Sequence, residues 1–465
     1  GFTTGYQNIA VGYQAGLAIT TGQRNIAIGT QALQQNTTSH GNIAIGYRTL
    51  YNAVNASSYQ IAIGDGALYN HSGSADDYAL AIGFEAGYNS QTDIGAVMIG
   101  YRAGYRSSGF SGVYIGSQAG LKSTNSGIYI GRDAGAGAEN YSGGNIAIGY
   151  LSGTVFMSTS DNNVFVGQQA GRYATGSNNT FIGEQAGLGG TTSAPYSSGE
   201  NNTAIGYQAL VAFTTAEANV AIGQNAGDAI TSGNYNVLAG RNAGGSLTTG
   251  GNNVAIGDSA LSTMTQYNSH IAIGASAGSG FTAQYYSILI GYQANAASGG
   301  NYTTAIGYRA LKDNEGARNT AIGATALGNN VGGDDNTAIG YSALNSNISS
   351  NNNVALGNYA GQKVIGNSNV HIGLDAGQYA SGSSNTFMGR AAGQGGTTSA
   401  PFSSGQQNVA IGYQALSGFT TAEGNVAIGY QAGNDITTGG NNVFIGKLAG
   451  DLLTTGTNNV VVGSG

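Results

Sequence analysis

Cysteine and tryptophan are absent from this 465-residue sequence, and proline occurs only twice. Without cysteine the chain has no disulfide bonds and no thiolate metal site, so another feature must stabilise it. Glycine, in contrast, is abundant, with 82 residues, and hydrophobic residues still make up 40% of the chain. That hydrophobic content is too high for a disordered chain and indicates a folded protein built from small side chains.

Charged residues are also scarce, at 8% of the chain. The 14 basic and 21 acidic residues give a formal net charge of −7, without any block of like charge. A phosphate-binding surface needs a basic patch, so we expect no nucleic-acid partner. No apolar run approaches the roughly 18 residues of a membrane-spanning helix, so we expect no membrane insertion in this segment.

A repeated motif fills the chain instead. NIAVGYQAG at Asn8 returns with small changes as NIAIGTQAL at Asn25 and NVAIGYQAG at Asn425. The glycine at its centre, which we call the marker glycine, occurs 27 times, from Gly12 to Gly463. Two intervals between markers are 23 residues long, and all the others lie between 15 and 19. This regular period predicts one structural coil per repeat, stacked as a solenoid.

Each position before the marker glycine has its own requirement. Three residues before it stands Ile, Val or Thr in every repeat except at Leu80, one residue before it an apolar residue, and between them usually Ala. This alternation with β-branched residues predicts a short strand. Four residues before the marker glycine, Asn occupies 19 of 27 repeats, and stacked asparagines can form hydrogen-bonded ladders.

The predicted fold is all-β, a parallel β-solenoid or β-roll of about 27 stacked coils of about 17 residues, each with two short strands. Stacked coils would form a rod on the order of 130 Å long. Burial within one narrow coil offsets little of the entropy lost on ordering it, so we expect the Ala-lined face to pack against other chains, with a side-by-side homotrimer as the favoured homo-oligomer. The residues chosen to represent the structural ladder are Asn25, Ile28, Gly29, Asn425, Ile428 and Gly429.

A longer period is visible as well. The two 23-residue intervals contain the only prolines, Pro195 and Pro401, in the related segments GTTSAPYSSG and GTTSAPFSSG. Blocks of twelve coils are repeated, with super-repeats that begin near residues 1, 212 and 418. We therefore expect residues 1–465 to be one continuous β-solenoid and a fragment of a longer fibre.

The five-residue core N-x-A-I-G, at Asn25 to Gly29 and at Asn425 to Gly429, resembles the head repeats of trimeric autotransporter adhesins with YadA-like or haemagglutinin-like heads. It is also similar to the repeats of phage and bacterial tail-fibre proteins, and the resemblance covers essentially the whole chain. The resemblance implies a left-handed parallel β-roll, three chains packed side by side, and an extracellular attachment role at a cell surface or virion surface.

Residue types that commonly serve in catalysis or metal binding are few and scattered along the chain. The histidines are expected at the surface or in turns rather than as metal ligands. The acidic pairs Asp76-Asp77 and Asp334-Asp335 are not iterated as calcium-binding repeats normally are. We therefore predict no catalytic residues, no metal and no cofactor, and a protein that is not an enzyme. The four histidines are His40, His71, His270 and His371.

Tyrosine is more informative, with 29 residues, ten of them directly after a marker glycine. Tyrosine offers a flat apolar ring and a hydroxyl, so a stacked stripe could bind sugars or a protein surface, or could serve only in packing. The candidate stripe consists of Tyr13, Tyr47, Tyr101, Tyr207, Tyr413 and Tyr430. Exposed loops on a rigid scaffold often bind ligands, so the proline loops are candidates too, or else spacers. Their candidate residues are Pro195, Tyr196, Pro401 and Phe402.

Three functions remain open. The first is a structural fibre segment of a surface adhesin or tail fibre, a rigid rod for attachment and display that associates with itself and could bind a cell-surface glycan or protein receptor. The second is an ice- or carbohydrate-surface-binding β-solenoid, which needs a regular threonine array, whereas threonine here clusters at turns. The third, a carbohydrate-active enzyme, needs clustered carboxylates, and acidic residues are sparse. The sequence favours the first function.

Overall fold

Each part of the chain repeats one small unit of structure. The computed structural model describes residues 4–52, 58–71, 78–91, 95–108, 111–124, 126–137, 143–155, 160–191, 196–281, 285–397 and 402–465. These residues form strands of three residues each and no helix. The chain divides into two compact units, Gly1–Tyr235 and Asn236–Gly465. Consecutive strands pair in parallel within each unit, which confirms the predicted all-β parallel solenoid with coils of about 17 residues.

The strands recur once per coil in both units. Those of the first unit are β1 (Ile9–Val11), β2 (Ile26–Ile28), β3 (Ile43–Ile45), β4 (Ile61–Ile63), β5 (Leu80–Ile82), β6 (Val97–Ile99), β7 (Val113–Ile115), β8 (Ile128–Ile130), β9 (Ile146–Ile148), β10 (Val164–Val166), β11 (Thr180–Ile182), β12 (Thr203–Ile205) and β13 (Val220–Ile222). Those of the second unit are β14 (Val237–Ala239), β15 (Val254–Ile256), β16 (Ile271–Ile273), β17 (Ile288–Ile290), β18 (Thr304–Ile306), β19 (Thr320–Ile322), β20 (Thr337–Ile339), β21 (Val354–Leu356), β22 (Val370–Ile372), β23 (Thr386–Met388), β24 (Val409–Ile411), β25 (Val426–Ile428), β26 (Val443–Ile445) and β27 (Val460–Val462).

Paired strands lie in register, so equivalent residues stack. In the pair β2 and β3, Ile26 lies opposite Ile43 and Ala27 lies opposite Ala44. A shift by one residue would turn every side chain to the other face of the strand. The same residues recur along the chain because each coil pairs in register with the next one.

The expectation of two strands per coil is wrong, because the described part of each coil contains a single strand. Beyond the marker glycine, alternate residues enter the left-handed region, as at Gln31 (φ 60°) and Leu33 (φ 49°). The amide of Gln31 still donates to the carbonyl of Tyr13 at 2.8 Å, and that of Leu33 to the carbonyl of Thr49 at 3.0 Å. Hydrogen bonding between coils therefore continues through turns that are no longer extended.

The strands turn their central residue inward and their β-branched residues outward. Ala27, at the centre of β2, is fully buried, whereas Ile28 keeps 38% of its surface exposed. The expectation that alanine lines an outer face for contact with other chains is therefore wrong. Side chains alternate along a strand, so a three-residue strand with its centre inside must place both flanking residues outside. We call the columns of residues that flank the strand centres the outer strand face.

In several coils, two interior positions complement each other in size. Where the strand centre is small, as at Ala27, the fourth residue after the marker glycine can be large, as at Leu33, and both are fully buried. Where the strand centre is aromatic, as at Phe165, that fourth residue is a glycine, here Gly171. A Cβ atom on Gly171 would lie 2.5 Å from Cδ2 of Phe165. The two positions share one space, so a large residue at one requires a small residue at the other.

Because the two positions share space, a substitution at one should compensate for a substitution at the other. We expect Phe165→Ala to destabilise the first unit by about 3–5 kcal/mol, because it leaves a cavity in a packed interior. Gly171→Leu alone should also destabilise it, because leucine would overlap the ring. The double variant should recover about half of the loss or more, since it recreates the native pairing of Ala27 with Leu33. Urea denaturation followed by circular dichroism measures all three variants, and additive losses would contradict a shared space.

Candidate functional site

The asparagines chosen from the sequence lie inside the coils and bond to one another. Asn25 and Asn425 are both buried. Nδ2 of Asn425 donates to Oδ1 of Asn408 at 3.2 Å and to the carbonyl of Gly439 at 2.9 Å. Its Oδ1 accepts from the backbone amide of Asn442 at 3.0 Å and from Nδ2 of Asn442 at 2.9 Å. Each such asparagine joins three successive coils and fixes the turn that leads into the next one.

Of the other residues chosen for the structural ladder, the isoleucines lie on the surface and the glycines pack against the backbone of the next coil. Ile28 and Ile428 lie on the outer strand face, 38% and 37% exposed. Gly29 and Gly429 have φ angles of 132° and 138°, a region that is in practice open only to glycine. A Cβ atom on Gly29 would also lie 2.7 Å from the carbonyl carbon of Gly46. Marker glycines therefore pack backbone against backbone.

The tyrosines of the candidate stripe do not form one continuous column. Tyr413 and Tyr430 stack in adjacent coils, with their ring centroids 5.2 Å apart. Tyr13 and Tyr207 are exposed, and the adjacent coils carry threonine, glutamate or glutamine at the same position. The tyrosines therefore form local groups rather than a single stripe.

The described residues of the proline loops make aromatic contacts with the coils. Pro195 and Pro401 lie outside the described residues. Tyr196 stacks on Tyr173 with ring centroids 6.3 Å apart, and Phe402 stacks on Tyr379 with ring centroids 6.2 Å apart. A solvent-open cavity of about 560 Å³ lies beside Phe402. These contacts tie the described end of each loop to the coils.

Tyr47 and Tyr101 belong to one aromatic column in the first unit. The residues directly after the marker glycine in four consecutive coils are Tyr47, Asp65, Phe84 and Tyr101. The rings of Phe84 and Tyr101 stack with centroids 5.6 Å apart. Asp65 brings no ring, and its Oδ1 accepts a hydrogen bond from the backbone amide of Tyr47 at 3.1 Å. The column therefore has a gap one coil wide between Tyr47 and Phe84.

A second aromatic column runs beside the first, and a search restricted to the residue after the marker glycine misses it. Its members are the fifth residues after the marker glycine in the same four coils, Tyr51, Tyr69, Tyr88 and Tyr105. Successive ring centroids lie 5.1, 4.7 and 5.3 Å apart, and the rings are parallel within 8°. The signal in the sequence is tyrosine at one coil position four times in succession.

Arginine side chains lie between the two columns. Cζ of Arg48 is 5.0 Å from the ring centroid of Tyr47 and 5.5 Å from that of Tyr51, within the range of cation–π attraction. Cζ of Arg102 lies 5.1 and 5.2 Å from the two tyrosine rings of its own coil. Nε of Arg102 also donates to Oε2 of Glu85 at 2.6 Å. The two columns and the side chains between them therefore form one surface.

This surface has a notch at Gly66, which replaces the side chain that adjacent coils place between the columns. Arg48 does not fill the notch from the preceding coil, because its Nε donates to Oε1 of Gln31 on the opposite side, at 2.8 Å. The notch has a volume of about 190 Å³ and is open to solvent. We call it the tyrosine groove, and its lining residues are Tyr47, Arg48, Asp65, Gly66, Tyr69, Phe84, Glu85 and Tyr88.

The tyrosine groove combines apolar rings with groups that donate and accept hydrogen bonds. Burial raises the pKa of Tyr88, and the neighbouring Tyr69, Tyr105 and Glu85 raise it further. The Tyr88 hydroxyl therefore stays protonated at neutral pH and can both donate and accept. The charges of Arg48, Asp65 and the Glu85–Arg102 pair sum to zero. The groove thus suits a neutral ligand with one apolar face and several hydroxyl groups.

The acidic pair within the described residues, Asp334-Asp335, does not form an open metal site. Nε of Arg318 donates to Oδ1 of Asp335 at 2.6 Å, and this contact lowers the pKa of Asp335. Oδ1 of Asp334 accepts from the backbone amide of Ala317 at 2.7 Å. The pair Asp76-Asp77 lies outside the described residues. Within the described ranges, no group of three or more histidine, aspartate or glutamate side chains could hold a metal ion.

Most of the histidines lie in the interior, contrary to the expectation of surface or turn positions. His71, His270 and His371 are fully buried. His40 is half-buried, and its Nδ1 accepts from the backbone amide of Gln23 at 3.0 Å. His371 stands at the centre of β22, and burial lowers its pKa to about 3, so it is neutral. These side chains fill space in the core rather than offer a reactive surface.

Comparison with known proteins adds no family to this geometry. No protein-family model matches the chain, and no curated protein matches it either. In the part of the chain that the structure describes, no helix is long and apolar enough to cross a bilayer. The coils and the tyrosine groove are therefore the features of the chain that bear on its function.

Proposed function

We propose that the chain is a structural fibre segment of a surface adhesin or tail fibre, which provides reach and display rather than catalysis. The observation that carries this proposal is the hydrogen bonding between successive coils within each unit, through strands, asparagines and turns alike. Through this bonding, each coil stabilises its neighbours. The variable turn residues are then displayed on a rigid scaffold at a cell or virion surface, where a glycan or protein receptor is the proposed partner.

Association between copies of the chain is part of this proposal. Ile256, Ile273 and Ile322 on the outer strand face are 39%, 36% and 37% exposed. Apolar residues repeated coil after coil amount to more than the single hydrophobic residues normal on a monomer, and they favour a protein–protein interface. We infer that copies pack through the outer strand face. The resemblance of the N-x-A-I-G repeats to trimeric adhesin heads supports a homotrimer.

The oligomeric state tests this proposal. The double variant Ile256→Glu with Ile322→Glu should dissociate into monomers, because each carboxylate buried without a partner at an interface costs several kcal/mol. Sedimentation equilibrium on the full chain measures the mass, and negative-stain electron microscopy shows whether filaments form. Leu374→Glu is the control, since Leu374 is 40% exposed but lies in a turn, with the polar residues Asn358 and Arg390 at its position in the adjacent coils. An unsubstituted chain that is monomeric, or a control that dissociates equally, would count against the proposal.

The threonines support an ice-binding surface less well. Oγ1 of Thr420 donates to the carbonyl of Thr437 at 2.9 Å, and Oγ1 of Thr437 donates to the carbonyl of Thr454 at 3.0 Å. These hydroxyls bond one coil to the next, whereas an ice-binding array has to present its hydroxyls to water. The fibre role is therefore the function we propose.

A further inference from the structure

The tyrosine groove contains a gap of the size of one ring in an aromatic column. Tyr47 and Phe84 lie on either side of Asp65, two coils apart, which corresponds to about 10 Å at about 4.8 Å per coil. A ring placed midway would lie about 5 Å from each of them, a normal stacking distance. The filled part of the same column has this spacing, since Phe84 and Tyr101 stack at 5.6 Å. The gap therefore fits a single six-membered ring.

The floor of the gap is open because of Gly66. Gly66 has a φ of 68°, close to the 51° of Arg48 and the 53° of Arg102 at the same coil position. The φ there is therefore one that side-chain-bearing residues adopt in this fold, and a Cβ atom on Gly66 would lie 3.2 Å from Cδ2 of Tyr88, so the Tyr88 ring would have to shift slightly to admit a side chain. The absence of one at Gly66 leaves space between the two aromatic columns, with Tyr69 and Tyr88 as the far wall.

The polar groups around the gap match the hydroxyls of a sugar. Arg48 donates hydrogen bonds, Asp65 and Glu85 accept them, and the hydroxyls of Tyr69 and Tyr88 do both. A pyranose ring has apolar C–H faces that stack on aromatic rings and hydroxyls at its edge that need such partners. The groove charges sum to zero and the chain carries −7, which disfavours an acidic sugar.

We propose that the tyrosine groove binds one neutral hexopyranose residue of a glycan, sandwiched between Tyr47 and Phe84. The proposal rests on the attachment role argued above and gives that role a site and a ligand class. One sugar ring offers few atoms for contact, so a single groove should bind with a dissociation constant of about 1 mM. A fibre that carries many copies of the chain would bind a surface more tightly through multivalency.

Isothermal titration of the full chain with neutral hexasaccharides of glucose, galactose, mannose and N-acetylglucosamine tests this site, with the hexasaccharide of galacturonic acid, in which every ring is acidic, as the comparison. At least one neutral hexasaccharide should bind, and the galacturonic acid hexasaccharide should not. Asp65→Tyr should weaken binding by about tenfold or more, because a ring then occupies the gap. Gly66→Arg should do the same by filling the floor. Both new residues are native at equivalent positions of nearby coils. The thermal unfolding temperature should not fall for Asp65→Tyr, and it should fall only slightly for Gly66→Arg, because a Cβ atom there would lie 3.2 Å from the Tyr88 ring.

Gln208→Arg is the matched control, because Gln208 has the same coil position and a φ of 54° but lies outside the tyrosine groove. It should leave binding unchanged. Three results would overturn the proposal: no binding of any neutral hexasaccharide, undiminished binding by the Asp65→Tyr variant, or capture of a protein ligand that no hexasaccharide displaces. Filaments without sugar binding would reject only the groove, whereas sugar binding by a monomeric chain would reject only the fibre role.

Discussion

Gly323→Ala should destabilise the second unit by about 2–6 kcal/mol, although it adds only one methyl group. Gly323 is the marker glycine after β19 and has a φ of 136°, where any other residue is strained by about 1–3 kcal/mol. A Cβ atom there would lie 2.5 Å from the carbonyl oxygen of Gly340 and 2.7 Å from its carbonyl carbon. Gly340 cannot retreat without weakening its own hydrogen bond to Ile322, which is 2.8 Å long. Overpacking therefore adds about 1–3 kcal/mol.

Gly332→Ala is the control for this variant, within the same unit. A Cβ atom on Gly332 would have no heavy atom within 4 Å. The hydrogen bond from its amide to the carbonyl of Ile348, at 2.9 Å, does not involve the new methyl group. We expect a change within about 0.5 kcal/mol by urea denaturation. Equal losses in the two variants would contradict a specific contact between marker glycines, because the effect of Gly→Ala on the unfolded chain stabilises the folded state.

The period and the all-β solenoid are predictable from the sequence because each coil must match its neighbours. The direction of the side chains is harder to predict. An Ile-Ala-Ile strand alternates equally well with isoleucine inside or outside, and hydrophobicity alone favours isoleucine inside. The pairing of large strand centres with glycine four residues after the marker, as in Phe165 with Gly171, carries the missing information. It indicates that these two positions share the interior.

The surface was less predictable than the interior for a related reason. Interior positions repeat in nearly every coil, whereas the tyrosine groove depends on differences between four consecutive coils. Asp65 and Gly66 matter because their neighbours are aromatic or long, which only the stacking order reveals. The strict repeat thus encodes the scaffold, and departures from it encode the proposed recognition site.

The buried asparagines should also contribute strongly to stability. Asn425→Leu should destabilise the second unit by about 3–5 kcal/mol. Leucine matches asparagine in branching but leaves the backbone amide and Nδ2 of Asn442 without their acceptor, and the carbonyl of Gly439 without its donor. Each buried group left unsatisfied costs about 1–3 kcal/mol. Urea denaturation of the full chain measures the loss.

A graded series separates lost hydrogen bonds from altered packing. Asn425→Thr should cost less than Asn425→Leu, because Thr303 occupies the equivalent position before β18 and donates to Oγ of Ser287 at 3.1 Å. Asn329→Leu should be nearly neutral, because Asn329 is exposed and its bond to Asn345 can be replaced by water. If the Asn425→Leu and Asn425→Thr variants have the same free energy of unfolding, the asparagines act through shape alone. Their succession along the coils would then reflect packing, and hydrogen bonding would not be what sets the register.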